Sequence, residues 1–150
     1  MKLKKVKNII GFYLFFWLII LMILPIIIFS LNIDPLVKYL FYIGISGGLG
    51  GTVYLIRSFY KHIFEKNFRD DVFWWYLFRP FLSIIIGIFS YFLLIGGFLS
   101  IGDISNINYS KGIMFFCGIS FLAGFSFTQF TNKLEEISET IFSKKGSDKK

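Results

Sequence analysis

The chain has very few of the residues from which metal and nucleophile sites are built. Its 150 residues include one cysteine, Cys117, and one histidine, His62. A lone cysteine cannot close an intramolecular disulfide, and one His with one Cys cannot supply the ligands of a zinc site. Acidic residues are also scarce, nine against sixteen Lys and Arg. Glu65, Asp70 and Asp71 stand beside basic residues, where they read as helix caps and surface pairs rather than an acid/base couple. No Ser/His/Asp or Cys/His set is favoured by spacing. The expectation is a chain that is not an enzyme and that uses no cofactor and no metal. An enzyme acting on lipid, with Arg57, Lys61 and Arg79 as headgroup contacts, would lack a nucleophile. His62 reads as a surface residue beside a basic cluster, with no second group to make it a catalytic base.

What the chain does have is apolar length. It is 55% hydrophobic and 21% aromatic, with 21 Phe and a mean hydropathy of +0.68. A soluble domain of this size would expose several apolar patches, whereas a bilayer absorbs them. The formal charge of +7 points toward nucleic acid only until its placement is considered. Most of it lies between and after the apolar runs, as membrane topology requires, so no nucleic-acid partner is expected.

Four apolar runs are long enough to cross a hydrocarbon core of about 30 Å. They cover roughly residues 9–29, 36–56, 80–99 and 111–131. Lys2, Lys4, Lys5 and Lys7 precede the first, which is too long for a signal peptide and is followed by no small-residue cleavage site. Pro35 and Pro80 are expected in the first turns of the second and third helices, where a missing N–H costs little. Between the second and third runs, Arg57, Lys61, Lys66, Arg69 and Arg79 alternate with aromatics. These five read as headgroup contacts, with Trp74, Trp75 and Tyr76 forming an aromatic belt.

Within the second run Gly44, Gly47, Gly48 and Gly51 recur at i, i+3, i+4 and i+7, so they share one helix face. Such small-residue faces let backbones approach where burying apolar side chains gains little over lipid. Ser83 and Gly87 on the third run, and Ser120 and Gly124 on the fourth, are the matching small residues. A nucleotide-binding reading of the glycines fails for want of a Gly-Lys-Ser/Thr sequence, a strand-to-helix switch or a downstream acidic partner.

The fourth run carries a pattern that continues past it. Ile113, Phe116, Ser120, Ala123, Phe127, Phe130, Leu134, Ile137 and Ile141 alternate at three and four residues. This heptad spacing predicts one continuous helix from about Lys111 to Phe142, with residues 132–142 projecting into the cytoplasm. Phe127, Phe130, Leu134, Ile137 and Ile141 form its cytoplasmic seam, packed within the chain, along the membrane or between subunits. Fourteen of the sixteen Lys and Arg lie in the first seven residues, the 57–79 segment and residues 133–150, which predicts cytoplasmic termini. The expected fold is all-α: one polytopic four-transmembrane-helix bundle over residues 1–142, then a disordered basic tail at 143–150.

Trp75-Tyr76-Leu77-Phe78-Arg79-Pro80, Phe121-Leu122-Ala123-Gly124-Phe125-Ser126, Lys133-Leu134-Glu135-Glu136-Ile137 and Thr140-Ile141-Phe142 resemble segments of a group of small bacterial membrane proteins with four helices. The likeness covers roughly the C-terminal half. The group usually has glycine three residues after the proline, where this chain has Ser83. The resemblance implies a bacterial inner-membrane protein and transfers no catalytic residue.

With no ionisable residue deep in the four runs, a coupled transporter is not expected. Two functional readings follow. One is a non-enzymatic scaffold or sensor that self-associates and docks a cytoplasmic protein. The other is an oligomeric pore assembled through the glycine faces and the seam, such as a phage-defence or toxin-like effector, with Ser120, Thr128 and Gln129 along its lining.

Overall fold

The computed structural model describes residues 2–64, 73–96 and 109–142. Five helices account for them: α1 Lys2–Ser30, α2 Pro35–Phe64, α3 Phe73–Ile95, α4 Tyr109–Phe125 and α5 Phe127–Phe142. The first four run up, down, up and down. Among the described residues, three helices are long and apolar enough to cross a membrane, over Val6–Ser30, Pro35–Phe64 and Trp74–Ile95. A fourth span exists if α4 and α5 count as one broken element. By length alone, the 17 residues of α4 reach about 25 Å, close to a hydrocarbon thickness.

The helices start where local chemistry allows. Asp34 caps α2, its Oδ1 accepting the Leu36 N–H at 2.8 Å and its carbonyl accepting the Lys38 N–H at 3.0 Å. Pro35 follows at the first helical position, where its fixed φ suits the helix. Pro80 departs from expectation. It lies inside α3, which begins at Phe73 rather than at the proline. Likewise α2 does not stop at the apolar edge near Ile56 but continues through Arg57 and Lys61 to Phe64. Continuing the helix keeps the backbone hydrogen-bonded, which a loop at the boundary would not.

Helix α2 is the centre of the bundle, packed on α1, α3 and α4, and α3 also packs on α4. Three apolar clusters fill the contacts. Ile10, Leu14, Leu55 and Tyr76 join α1, α2 and α3 at one end, and Leu21, Ile28 and Ile45 join α1 to α2 further along. Ile43, Leu94 and Phe116 join α2, α3 and α4 at the other end. Helix α1 leaves Phe12, Phe15, Phe16, Met22 and Ile26 exposed, an outer face that only an apolar surrounding would satisfy.

The continuous fourth helix predicted by the heptad spacing is not formed. Helix α4 ends at Phe125, and α5 leaves it at 99°. The Ser126 N–H still donates to the Leu122 carbonyl at 2.8 Å, while the Ser126 carbonyl accepts the Phe130 N–H at 3.0 Å. Ser126 therefore closes one helix and opens the next. The three-and-four spacing misleads because each half satisfies it separately: Phe116, Ser120 and Ala123 face the bundle, whereas α5 has no buried residue.

Candidate functional site

Gly47, Gly51, Ser83, Gly87, Ser120 and Gly124 meet in one place. A Cβ on Gly47 would lie 2.7 Å from the Ser83 carbonyl oxygen, 2.8 Å from the Gly87 Cα and 2.9 Å from Ser120 Oγ. Gly47 is thus the point where α2, α3 and α4 touch at backbone distance. On α4, a Cβ on Gly124 would collide with the Gly47 carbonyl, and one on Gly51 would collide with Ser83. Gly44 and Gly48 face Ile88 and Ile84 instead. Gly50, which the periodicity passes over, abuts the Phe121 carbonyl. It lies outside the i, i+3, i+4, i+7 face because α2 has two close neighbours rather than one.

Hydroxyls pin this junction. Ser120 Oγ donates to the Ile43 carbonyl at 2.6 Å, and Ser46 Oγ donates to the Cys117 carbonyl at 2.7 Å. Three other buried serine and threonine hydroxyls bond within their own helices: Thr52 to Gly48, Ser83 to Arg79 and Ser90 to Gly87. On the far side, Tyr13 Oη donates to the Leu77 carbonyl at 3.1 Å and ties α1 to α3.

The basic cluster divides. Arg57 and Lys61 are exposed on the last turns of α2. Lys66 and Arg69 lie outside the described residues, as do Glu65, Asp70 and Asp71. Arg79, expected among the headgroup contacts, is instead 1% exposed. Its Cζ lies 4.1 Å from the Phe127 ring centroid, 4.7 Å from that of Trp75 and 4.9 Å from that of Tyr54. Helices α2, α3 and α5 each supply one wall of this cage. Trp75 and Arg79 meet because they are four residues apart on α3. Phe127, the first residue of α5, completes the enclosure and stands edge-on to Trp75 at 6.1 Å. The bend at Ser126 is what brings it there.

The cage is electrostatically incomplete. Each aromatic face contributes about 0.5–2 kcal/mol to a cation, but rings accept no conventional hydrogen bond. Arg79 Nε and Nη1 are buried and have no hydrogen-bond partner. A buried charge without paired acceptors costs several kcal/mol. The first turn of α5 abuts the same guanidinium, and a helix N-terminus carries roughly +0.5 charge. Position alone puts Arg79 in the polar segment, because it directly precedes Pro80 and the apolar run. The signal was available in Trp75, one turn earlier on the same face.

Beside the cage, Tyr76 Oη, Ser58 Oγ and His62 Nδ1 lie within 3.4 Å of one another. His62 Nδ1 is also 2.7 Å from the Ser58 carbonyl. A carbonyl can only accept, so Nδ1 carries the proton and is not a base toward Ser58 Oγ. This trio therefore lacks the pairing of an activated serine. Among the described residues no three of His, Cys, Asp and Glu group as metal ligands do.

No family model, curated protein or solved structure matches this chain. Its site is read from its own geometry. Two pockets adjoin the cage and share Tyr54. One, of about 210 Å³, is lined by Tyr54, Phe125, Ser126, Phe127, Thr128 and Gln129. The other, of about 320 Å³, is lined by Tyr54, Arg57, Ser58 and Lys61. Their lining supplies hydroxyls, an amide and two cations.

Proposed function

We propose that this chain is a multi-pass protein of the bacterial inner membrane, with both termini on the cytoplasmic side, acting as a non-enzymatic scaffold or sensor. The observation that carries this reading is the 99° turn between α4 and α5. With α4 along the membrane normal, α5 lies close to the membrane plane, at the end of the bundle that holds Arg57, Lys61 and Arg79. Phe130, Leu134 and Ile137, each half-buried, then turn toward lipid in the manner of an interfacial amphipathic helix. Glu135, Glu136 and Glu139 are exposed on the other side and face the cytoplasm. An acidic helix held flat on a basic membrane-proximal surface suits the docking of a basic soluble protein.

The pore reading draws less support. The glycine face that subunits would need is occupied inside one chain, by α3 and α4. Surfaces left for self-association include the outer face of α1, the exposed side of α3 with Phe78, Ile85, Phe89 and Phe92, and the apolar side of α5.

A photoreactive phenylalanine analogue at Glu136, with a potential-sensitive dye read in the same cells, tests the proposal. The scaffold reading predicts one discrete protein adduct, lost when Glu135 and Glu139 become lysine in the same variant, and an unchanged membrane potential. Collapse of the potential on expression, or adducts with lipid alone, would contradict it.

A further inference from the structure

Ser126 alone parts α4 from α5, and it keeps both of its own helical bonds, its N–H to Leu122 and its carbonyl to Phe130. What the bend leaves open is the set between them. An unbroken helix would close bonds from the Phe127, Thr128 and Gln129 N–H groups to the Ala123, Gly124 and Phe125 carbonyls. No proline stands between Lys111 and Phe142, and the three-and-four spacing of apolar residues passes through the break without a change of phase. Helix α5 is also weakly held where it lies, since none of its residues is buried, which marks an element of low local stability. The place a straightened α5 would take is already present. Helices α2 and α4 run in the same direction, with Ser120 on Ile43 and Phe125 edge-on to Tyr54. Arg57, Ser58 and Lys61 follow Tyr54 on one face of α2, and these four residues line a groove of about 320 Å³. An unbroken fourth helix runs along that groove, and carrying the two registers forward brings Glu135 to the stretch that holds Arg57 and Lys61.

We propose that α5 has two seats: bent away from α4 at Ser126, and straight, with residues 111–142 forming one helix laid along the Tyr54–Lys61 groove of α2. The inference rests on the docking reading given above and adds its regulation. In the bent seat Glu135 is exposed and open to a basic partner. In the straight seat the same carboxylate turns to the basic end of its own α2. Docking and straightening therefore exclude each other, and a partner that binds only the bent seat draws the chain into it. The groove on α2 acts as an internal competitor for the acidic helix.

The test is a spin-label distance measurement on the full chain in phosphatidylcholine nanodiscs, with Met114→Cys and Ser138→Cys placed in a Cys117→Ser background. Both positions are exposed, and they stand equally far before and after Ser126. They lie about 36 Å apart along one straight helix and about 23 Å apart across the 99° turn. The parent protein should show both distances, the shorter one predominating. Thr128→Pro is tolerated in the first turn of a separate α5 but breaks an unbroken helix, so it should remove the long distance. Glu135→Lys should lower the ratio of long to short by about two- to fivefold, the scale of an exposed ion pair. Adding Arg57→Glu and Lys61→Glu to that variant should restore the ratio. Glu136→Lys, on another side of the helix, should leave it unchanged. A single distance in the parent protein, a long distance that survives Thr128→Pro, equal effects of Glu135→Lys and Glu136→Lys, or no restoration by the charge swap would each overturn the two seats. A protein that stays in carbonate-washed membranes yet shows one distance refutes the switch alone, whereas release by carbonate refutes the membrane reading beneath it.

Discussion

Replacing Gly47 by alanine adds one methyl at the point where three helices meet. Its new neighbours are the Ser83 carbonyl at 2.7 Å, the Gly87 Cα at 2.8 Å and Ser120 Oγ at 2.9 Å, where ordinary contact begins at 3.4 Å. Two of these are backbone atoms and cannot rotate away. Helix α3 must therefore retreat from α2 by about half an ångström, loosening the van der Waals contact that holds helices together in lipid. Overpacking of this kind costs about 1–3 kcal/mol, and two backbone contacts put Gly47→Ala near the upper end. Alanine returns about 1 kcal/mol through helix propensity, leaving a net loss of about 2 kcal/mol. For a chain of this size that is a fall in Tm of about 4–8 °C. Gly118 provides the control, since a Cβ there meets nothing within 4 Å. Gly118→Ala keeps only the propensity gain and should raise Tm by about 1–4 °C. Thermal unfolding in neutral detergent, followed by circular dichroism, reads both. If the two variants shift alike, or if Gly47→Ala is the more stable, the three-helix junction is not what holds the bundle.

Three further outcomes follow from the same geometry. Ser120→Ala removes the donor to the Ile43 carbonyl and should cost about 0.6–1.5 kcal/mol in the same unfolding assay; an unchanged Tm would mean that the bond contributes nothing. Arg79→Met replaces a buried, under-satisfied cation with an apolar chain of similar length, so the protein should gain about 1–3 kcal/mol in the same unfolding assay. A loss of stability there would mean that the aromatic cage alone satisfies the charge. Leu134→Glu/Ile137→Glu should detach α5 from the membrane surface, read as faster hydrogen exchange over residues 130–142, without changing the mass found by light scattering. A defined oligomer that this double change dissolves would make the seam a joint between subunits.

The all-helical class was legible in the apolar runs, and the glycine spacing located the junction to within a residue. Gly50 escaped notice because a single-face pattern describes one neighbour, and α2 has α3 and α4 on adjacent sides. Helix ends were the weaker inference. The sequence marks where apolar character stops, but α2 and α3 continue beyond that edge, to Phe64 and from Phe73, because continuing the helix keeps the backbone N–H and C=O groups paired. The bend at Ser126 was illegible for a different reason. No Pro interrupts the heptad spacing there, and the turn is fixed by a long-range contact, Phe127 on Arg79, with Arg79 48 positions earlier in the chain. That contact also explains the misassigned arginine. Charge suggests exposure, and only the meeting of Tyr54, Trp75 and Phe127 from three helices shows that Arg79 is enclosed.

The most direct test of the account is where the chain resides. Membranes from cells expressing it would be washed with alkaline carbonate, after Cys117→Ser and with a single cysteine placed either at Glu136 or at Asn32, then labelled from outside with an impermeant maleimide. The account predicts that the protein stays wholly in the membrane pellet, with the Asn32→Cys variant labelled in spheroplasts and the Glu136→Cys variant labelled only after lysis. Release of the protein into the carbonate supernatant, or labelling of both positions from the same side, would contradict it.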